Sequence, residues 1–324
     1  MQILHGCNVG GMEMFCINLS NALSIHHEVI FLGSVVFEKY LSKQVVFQPI
    51  DIKKSRNNPL FLIKLYKQIK RYNPDIIHIH KQKTIKTLQR LSYFLSIPSV
   101  VTKHDMQKKK AFYGLHYAVS ISSEVEKTIK AKKIFNVYNG VPYIKPKKIG
   151  ISDKFNIVAV GGLREVKGFY ELIKSVSLLP FDFHLSIIGE GDERDSLEAL
   201  ISNLKISDKV SLLGFKSNIQ DYLFSADLQI ISSLSEGFSL TMIEGIFYSK
   251  ILISTKVSGC NEILSQNLLF DRKDMGAKIM DIYENYDTYK KDFLKVKNRY
   301  KEDFNIKVCA DNYVSVFKYI INEK

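Results

Sequence analysis

Residues 228–245 read LQIISSLSEGFSLTMIEG, an apolar run that stops at a serine- and glycine-bearing loop and restarts as a helix. Leu228, Ile230 and Ile231 form a short apolar run bounded by turn residues, the pattern of a strand buried on both faces and so of a parallel sheet covered by helices. Residues 232–237 are then the loop at its carboxyl end. A helix begins near Ser239 or Leu240, with Ser239 as N-cap and Leu240, Ile243, Phe247 and Tyr248 on its apolar face. In open α/β sheets ligands sit at the carboxyl ends of the strands, and a helix N-terminus there offers unpaired N–H groups to an anion, phosphate above all. Glu236 and Glu244 would repel phosphate directly. Both are suited to accept hydrogen bonds from sugar hydroxyls beside it.

The same alternation fills the chain. Strands are expected at 2–5, 27–32, 45–49, 75–80, 99–102 and 117–121, with helices at 12–23, 59–72 and from Ser123; residues 137–141 close this half and 142–153 form a linker. A second sheet is expected from strands at 156–160, 184–188, 210–213, 228–231 and 251–254, with helices at 169–179, 192–204 and 221–225 and a helical remainder from Met275. At 324 residues the chain suits two domains, 1–150 and 151–305, ahead of a final helical segment, 306–324.

Charge is spread unevenly. Of 46 Lys+Arg and 33 Asp+Glu, residues 1–150 hold 24 and 8, so this half carries +16 of the net +13 and the remainder −3. The helix expected at 59–72 places Leu62, Leu65 and Ile69 on one face and Lys64, Lys67, Lys70 and Arg71 elsewhere. It either lies on an anionic membrane surface or packs its apolar side on its own sheet. Lys108, Lys109 and Lys110, with Lys81, Lys83, Lys86 and Arg90, form either a solvated face or one that meets anionic lipid or a phosphate-bearing acceptor. Cys7, Cys16, Cys260 and Cys309 are scattered, which argues against structural zinc and a disulfide framework and fits a reducing cytosol. Residues 1–5 read as a strand and not as a secretory leader, and no apolar run reaches spanning length.

Two glycine-rich turns follow strands. Gly10-Gly11 precedes the first helix but is not G-x-G-x-x-G. The run GGLREVKG at 161–168 is not a Walker A loop, since its Lys precedes the Gly and no Ser or Thr follows. Arg164 and Lys167 in that second turn are placed to neutralise a diphosphate.

Glu236-Gly237-Phe238 with Glu244 resembles the E-x7-E signature of the retaining GT-B glycosyltransferases, specifically the GT4 family. The resemblance covers nearly the whole chain. It implies an α/β GT-B fold, two doubly wound Rossmann-like domains facing an interdomain cleft, with the last helix crossing back to the first domain. It implies that Glu236 contacts the donor sugar, Glu244 the ribose, and the amides near Ser239 and Leu240 the diphosphate, with Gly237 and Phe238 also among the donor-binding residues. Gly10, Gly11 and Glu13 match the family's Gly-Gly-x-Glu turn, His104 the histidine that reaches the donor sugar, and Lys167 the lysine of Gly-Arg-Leu-x-x-x-Lys-Gly. Gly162 stands where that pattern has Arg, so either Arg164 supplies the charge from two positions on or one cation is missing. Gly189 and the loop around Phe215 would lie near the base. Residues 258–262 match a glycine-rich turn imperfectly, with Cys260 in place of a second glycine.

The activity so implied is transfer of a sugar, with retention, from a nucleotide-sugar, a UDP-sugar first, to a saccharide or lipid-linked acceptor of surface polysaccharide or lipopolysaccharide. Glu236, His104 and Lys167 are its catalytic candidates. No cofactor is implied, and no metal, since no Asp-x-Asp site is present in the sequence. The expected setting is the cytoplasm, with the basic half docked on the inner membrane face. Two rivals share these features: a nucleotide-sugar 2-epimerase on the same architecture, and a non-catalytic protein binding anionic lipid or nucleic acid. The chain lacks a nucleic-acid recognition motif or an aromatic-basic platform, so no nucleic-acid partner is expected.

Overall fold

The computed structural model describes residues 1–7, 9–50 and 58–323. The chain divides into two units, Met1–Pro142 with Asp303–Lys324, and Tyr143–Glu302. Their boundaries lie at 142/143 and 302/303, where the sequence suggests 150/151 and 305/306.

The first unit holds a seven-stranded parallel sheet: β1 (Gln2–Ile3), β2 (Val29–Gly33), β3 (Val45–Pro49), β4 (Ile77–Ile79), β5 (Ser99–Lys103), β6 (Tyr113–Ser120) and β7 (Lys130–Asn136), in the order β3-β2-β1-β4-β5-β6-β7. Its helices are α1 (Gly11–Leu23), α2 (Pro59–Tyr72), α3 (Gln82–Leu91) and the single turn α4 (Ser123–Glu126). β7 is absent from the expected strands. Its KAKKIFN is an edge strand with no fully buried residue, so neither alternation nor an apolar run marks it.

The second unit repeats the plan with six parallel strands: β8 (Phe155–Val160), β9 (Phe183–Ile188), β10 (Val210–Gly214), β11 (Leu228–Ile231), β12 (Leu252–Thr255) and β13 (Leu269–Phe270), in the order β10-β9-β8-β11-β12-β13. Between them run α5 (Phe169–Val176), α6 (Arg194–Asn203), α7 (Ile219–Ser225), α8 (Leu240–Tyr248) and α9 (Ser258–Ile263), followed by α10 (Met275–Glu284) and α11 (Tyr286–Tyr300). Residues 258–262, expected as a turn, form most of α9. The last helix, α12 (Ile306–Asn322), belongs to the first unit, where fully buried Tyr313 reaches Thr102 Oγ1 at the end of β5 (3.0 Å).

In each sheet the first strand of the unit, β1 or β8, has a neighbour on either side reached by chain running in opposite directions. This is the topological switch point at which a crevice opens at the carboxyl ends. Helix α2 packs on its own sheet chiefly through Phe61, Leu65 and Ile69, a strict four-residue spacing, with Leu62 partly buried against the same core. That rotation leaves Leu60 (74% exposed) and Ile63 (50%) outward beside Lys64 and Lys67.

Candidate active site

In the second unit the switch point lies between β8 and β11, and the loops leaving these two strands meet. Lys167, in the loop after β8, bonds Glu236, in the loop after β11, with Nζ 2.6 Å from Oε1; both side chains are largely buried. Ser233 Oγ donates to the same carboxylate oxygen at 2.7 Å. Three further bonds lock the loops: Ser232 Oγ to Lys167 O (2.7 Å), Leu234 N–H to Val166 O (2.8 Å) and Thr255 Oγ1 to Ser233 O (2.6 Å). Gly168 has φ +65° and sits so close to Ser232 O that a Cβ would lie 2.3 Å from it, so no other residue fits this crossing.

The tandem Gly161-Gly162 forms the floor for two cations. A Cβ on Gly161 would touch the Lys167 stem (Cδ 3.3 Å), and one on Gly162 would touch Arg164 (Nε 3.3 Å). Thus Arg164 folds back over the glycine that stands in place of the family arginine. Its side chain is exposed and, among the described residues, forms no ion pair. An uncompensated guanidinium beside a lysine already shared with a carboxylate is a ready anion site.

Helix α8 starts where the sequence places it, with Ser239 in extended conformation at the N-cap. The Ser239 hydroxyl does not cap the helix; it pairs with Thr241 Oγ1 at 2.8 Å. The first-turn amides precede the first intrahelical bond, Ile243 N–H to Ser239 O at 3.4 Å. The helix is buried almost all round, through Met242, Ile243, Ile246, Phe247 and Tyr248, while Leu240 is half-buried. Gln229 of β11 pins it: Nε2 donates to Thr241 O (2.7 Å) and Oε1 accepts from Ser249 Oγ (2.6 Å), at the two ends of the helix. Gly245 makes room for that amide, since a Cβ there would meet Gln229 Oε1 at 2.2 Å. Glu244, on the same helix, is half-buried, and burial pushes its carboxyl up to about 8.

The other expected donor contacts divide into two kinds. Phe238 is buried, its ring covering Gly259, and Gly237 is buried with it, so these two shape the loop with their bulk and turn. Gly189, at φ +147° with N–H bonded to Gly214 O (2.9 Å), allows the β9 loop to cross Gly161 O, which a Cβ would strike at 1.9 Å. Phe215, at the end of β10, is 65% exposed.

The first unit carries an analogous pair. Gly10 is the N-cap of α1 and donates its N–H to Glu13 Oε2 (3.2 Å); Gly11 opens the helix. Glu13, nearly buried, is ion-paired with Lys81 just after β4, so an ion pair spans the β1/β4 switch point as Lys167–Glu236 spans β8/β11. Lys81 is therefore committed inward and not part of an outward basic face. Asn8, between these glycines and β1, lies outside the described residues. His104 follows β5, half-buried, and burial lowers its imidazole to about 3. Lys103 beside it is fully buried and held by Asp105 Oδ1 (2.8 Å) and Gln107 O (2.8 Å), which fixes the loop that carries His104.

Two family descriptions match the chain: Glycosyltransferase Family 4 over residues 9–134 and Glycosyl transferases group 1 over residues 144–293. The chain is a group 1 glycosyltransferase. The two matches fall one in each unit, and the second contains all of Arg164, Lys167, Glu236 and Glu244. Among curated proteins, a Campylobacter jejuni N-acetylgalactosamine-N,N'-diacetylbacillosaminyl-diphospho-undecaprenol 4-alpha-N-acetylgalactosaminyltransferase is 37% identical over 120 residues. That match covers 37% of this chain and 33% of that enzyme, about a third of its length. The Rhizobium meliloti lipopolysaccharide core biosynthesis glycosyltransferase LpsD is 21% identical, covering 81% of this chain and 80% of its own. Among solved structures, Anabaena Alr3699/HepE in complex with UDP-glucose superposes with a TM-score of 0.85 at 16% identity, covering 98% of both chains. The group 1 transferase has the GT-B fold.

Proposed function

We propose that the second unit binds a nucleoside diphosphate sugar, with a UDP-sugar the first candidate, and that the enzyme transfers the sugar with retention to a saccharide or lipid-linked acceptor of a surface glycan. One observation carries this reading: Arg164 and Lys167 lie over Gly161-Gly162 at the switch point, with Glu236 held against Lys167. The two cations and the first-turn amides of α8 stabilise the negative charge that grows on the departing diphosphate. Glu236, fixed by Ser233, accepts a hydrogen bond from a sugar hydroxyl, and Glu244 accepts from the ribose. The acceptor oxygen bonds to the anomeric carbon on the face from which the phosphate leaves. The acceptor proton passes to the departing phosphate oxygen, so the configuration is kept and no protein nucleophile is needed. This step calls on neither metal nor cofactor.

The names of the relatives support the acceptor class, since one acts on a diphospho-undecaprenol saccharide and another in lipopolysaccharide core synthesis. The first unit supports a membrane-borne acceptor. Leu60 and Ile63 stand outward beside Lys64, Lys67 and Arg71, and after α3 the exposed Tyr93 (90%) and Phe94 (68%) follow, with the Phe94 ring against Tyr66 of α2; exposed apolar side chains in basic surroundings suit an anionic bilayer. Among the described residues no helix is long and apolar enough to cross a membrane. The test is thermal stabilisation of the wild-type enzyme by UDP-, GDP-, ADP- and CMP-sugars, followed by sugar release from whichever stabilises. Stabilisation by one nucleotide class, lost in Glu244→Ala, is expected; no stabilisation by any sugar nucleotide would sink the donor assignment.

A further inference from the structure

A cavity of about 340 Å3 lies within the second unit at the amino ends of β11 and β12, the opposite edge of the sheet from Lys167 and Glu236. Its walls come from the ends of α7 and α8, one face of α11 and the segment ahead of β8, and its size suits a small organic molecule. Four of the wall residues are lysines, Lys148, Lys250, Lys290 and Lys297, and Phe224 and Leu294 stand among them, 42% and 51% exposed. The unit as a whole is neutral, since residues 143–302 hold 22 Lys+Arg and 22 Asp+Glu. Four lysines on one cavity are therefore a local concentration and not the background of a basic domain.

Two of the four have structural partners. Helices α7 and α8 end at this cavity, and the last carbonyls of a helix are unpaired and attract cations. Lys250 Nζ lies 3.4 Å from Ser225 O and 2.8 Å from Asp227 Oδ1, and Lys297 Nζ donates to Ser249 O at 2.9 Å. Lys148 and Lys290 are exposed and, among the described residues, neither enters an ion pair. Lys148 is nonetheless held in place, because the N–H groups on either side of it are bonded, that of Lys147 to Asp221 Oδ1 and that of Ile149 to Ser225 Oγ, both at 2.8 Å. Lys290, Leu294 and Lys297 follow at intervals of four and three residues and so share one face of α11. Among the described residues Asp227 is the only carboxylate in an ion pair with any of the four lysines, which leaves a formal charge of +3 (4 − 1). Burial, with Lys301 nearby, lowers the Lys297 ammonium to about 8, as befits a cation short of counter-charge.

We propose that this cavity is a binding site for a phosphate ester, with the phosphate held by Lys148, Lys290 and Lys297 and the apolar part of the ester laid against Phe224 and Leu294. A phosphate carries about two negative charges and accepts from several directions at once, which matches compact ammonium groups brought from two separate segments. The site shares no loop with the Lys167–Glu236 pair and does not rest on the reading given under Proposed function. A soluble organic phosphate and the headgroup of an anionic phospholipid both have this chemistry.

The experiment titrates phenyl phosphate and inorganic phosphate by calorimetry into the full-length chain carrying Arg164→Ala with Lys167→Ala, which takes phosphate binding at the switch point out of the measurement. Phenyl phosphate should bind saturably and about 3- to 10-fold tighter than inorganic phosphate, and Leu294→Ser should reduce that preference. Adding Lys148→Gln with Lys290→Gln should weaken binding at least about tenfold, as two charge-assisted contacts are lost. Lys273→Gln with Lys291→Gln, the same loss of charge from exposed lysines outside the cavity, should leave it unchanged. In the otherwise wild-type protein the Lys148 and Lys290 substitutions should not alter UDP affinity. A second arm reads flotation of the chain with phosphatidylcholine vesicles containing phosphatidic acid. Flotation that falls with the cavity pair and not with the control pair, in a protein that ignores phenyl phosphate, assigns the cavity to a lipid headgroup; phenyl phosphate binding with the stated losses assigns it to a soluble ester. Binding of neither probe, or losses no greater in the cavity pair than in the control pair, overturns the proposal and leaves the lysines as caps on helix ends.

Discussion

Replacing Glu244 with Gln should stabilise the free enzyme, and by an amount that depends on pH. The folded carboxyl sits at about 8 because it is desolvated on α8, against an ordinary value of 4.5. Between these two values the folded protein holds a proton that the unfolded chain has released. Stability therefore falls as pH rises through this window, by up to about 1.4 kcal/mol per pH unit. The full displacement would amount to about 4 to 5 kcal/mol. The side chain is half-buried and not sealed, so about 2 to 4 kcal/mol is expected. Glu244→Gln cannot titrate. Its stability advantage should be near zero at about pH 4.5, grow through neutrality and level off above about pH 8. Urea unfolding of both proteins across this range measures the difference directly, and the pH dependence of every other group cancels in the comparison. An advantage that is constant with pH, or that shrinks as pH rises, would refute the assignment of Glu244 as a proton-bearing site group. A donor whose hydroxyls bond to Glu244 favours the carboxylate, so donor binding near neutrality should also release a proton, visible as a buffer-dependent binding enthalpy.

Glu236→Gln removes the charge that shares Lys167; UDP alone should bind about 3- to 10-fold tighter, by calorimetry, while sugar transfer falls at least about 100-fold. Gln229→Leu leaves the Thr241 carbonyl and Ser249 hydroxyl without their partner and should cost about 2 to 3 kcal/mol in urea unfolding, with weaker UDP binding because α8 loses its anchor. Leu60→Ser with Tyr93→Ser and Phe94→Ser should abolish flotation of the enzyme with vesicles containing anionic lipid at low salt, while UDP affinity stays unchanged; flotation equal to wild type would remove that patch from membrane binding.

The sequence carried the layer order because parallel strands buried on both faces are written as apolar runs, and the helices between them hold their periodicity. β11, α2 and β3 fall on the residues expected. β7 escaped because its outer face is lysine-rich and nothing in it is fully buried. At the site, Lys167, Glu236 and Glu244 stand out through their place at strand ends and through the family resemblance, but their partners do not. Gln229 is one polar residue in an apolar strand, a signal visible in principle, yet its two bonds depend on where α8 begins and ends. Arg164 offered two readings from sequence, and only the space above Gly162 shows where its guanidinium lies. Lys81 read as surface charge because sequence separation hides Glu13. Phe238 is read as a donor contact because it sits inside the motif; the packing of its ring on Gly259 is not visible in sequence.

The most direct measurement is calorimetric titration of UDP into the wild-type enzyme and into Arg164→Ala with Lys167→Ala. Saturable binding in the wild type, weakened by at least about 50-fold in the double variant as two charge-assisted contacts are lost, is the predicted result. UDP binding of equal strength in both proteins, or none in the wild type, would contradict the placement of the diphosphate over Gly161-Gly162.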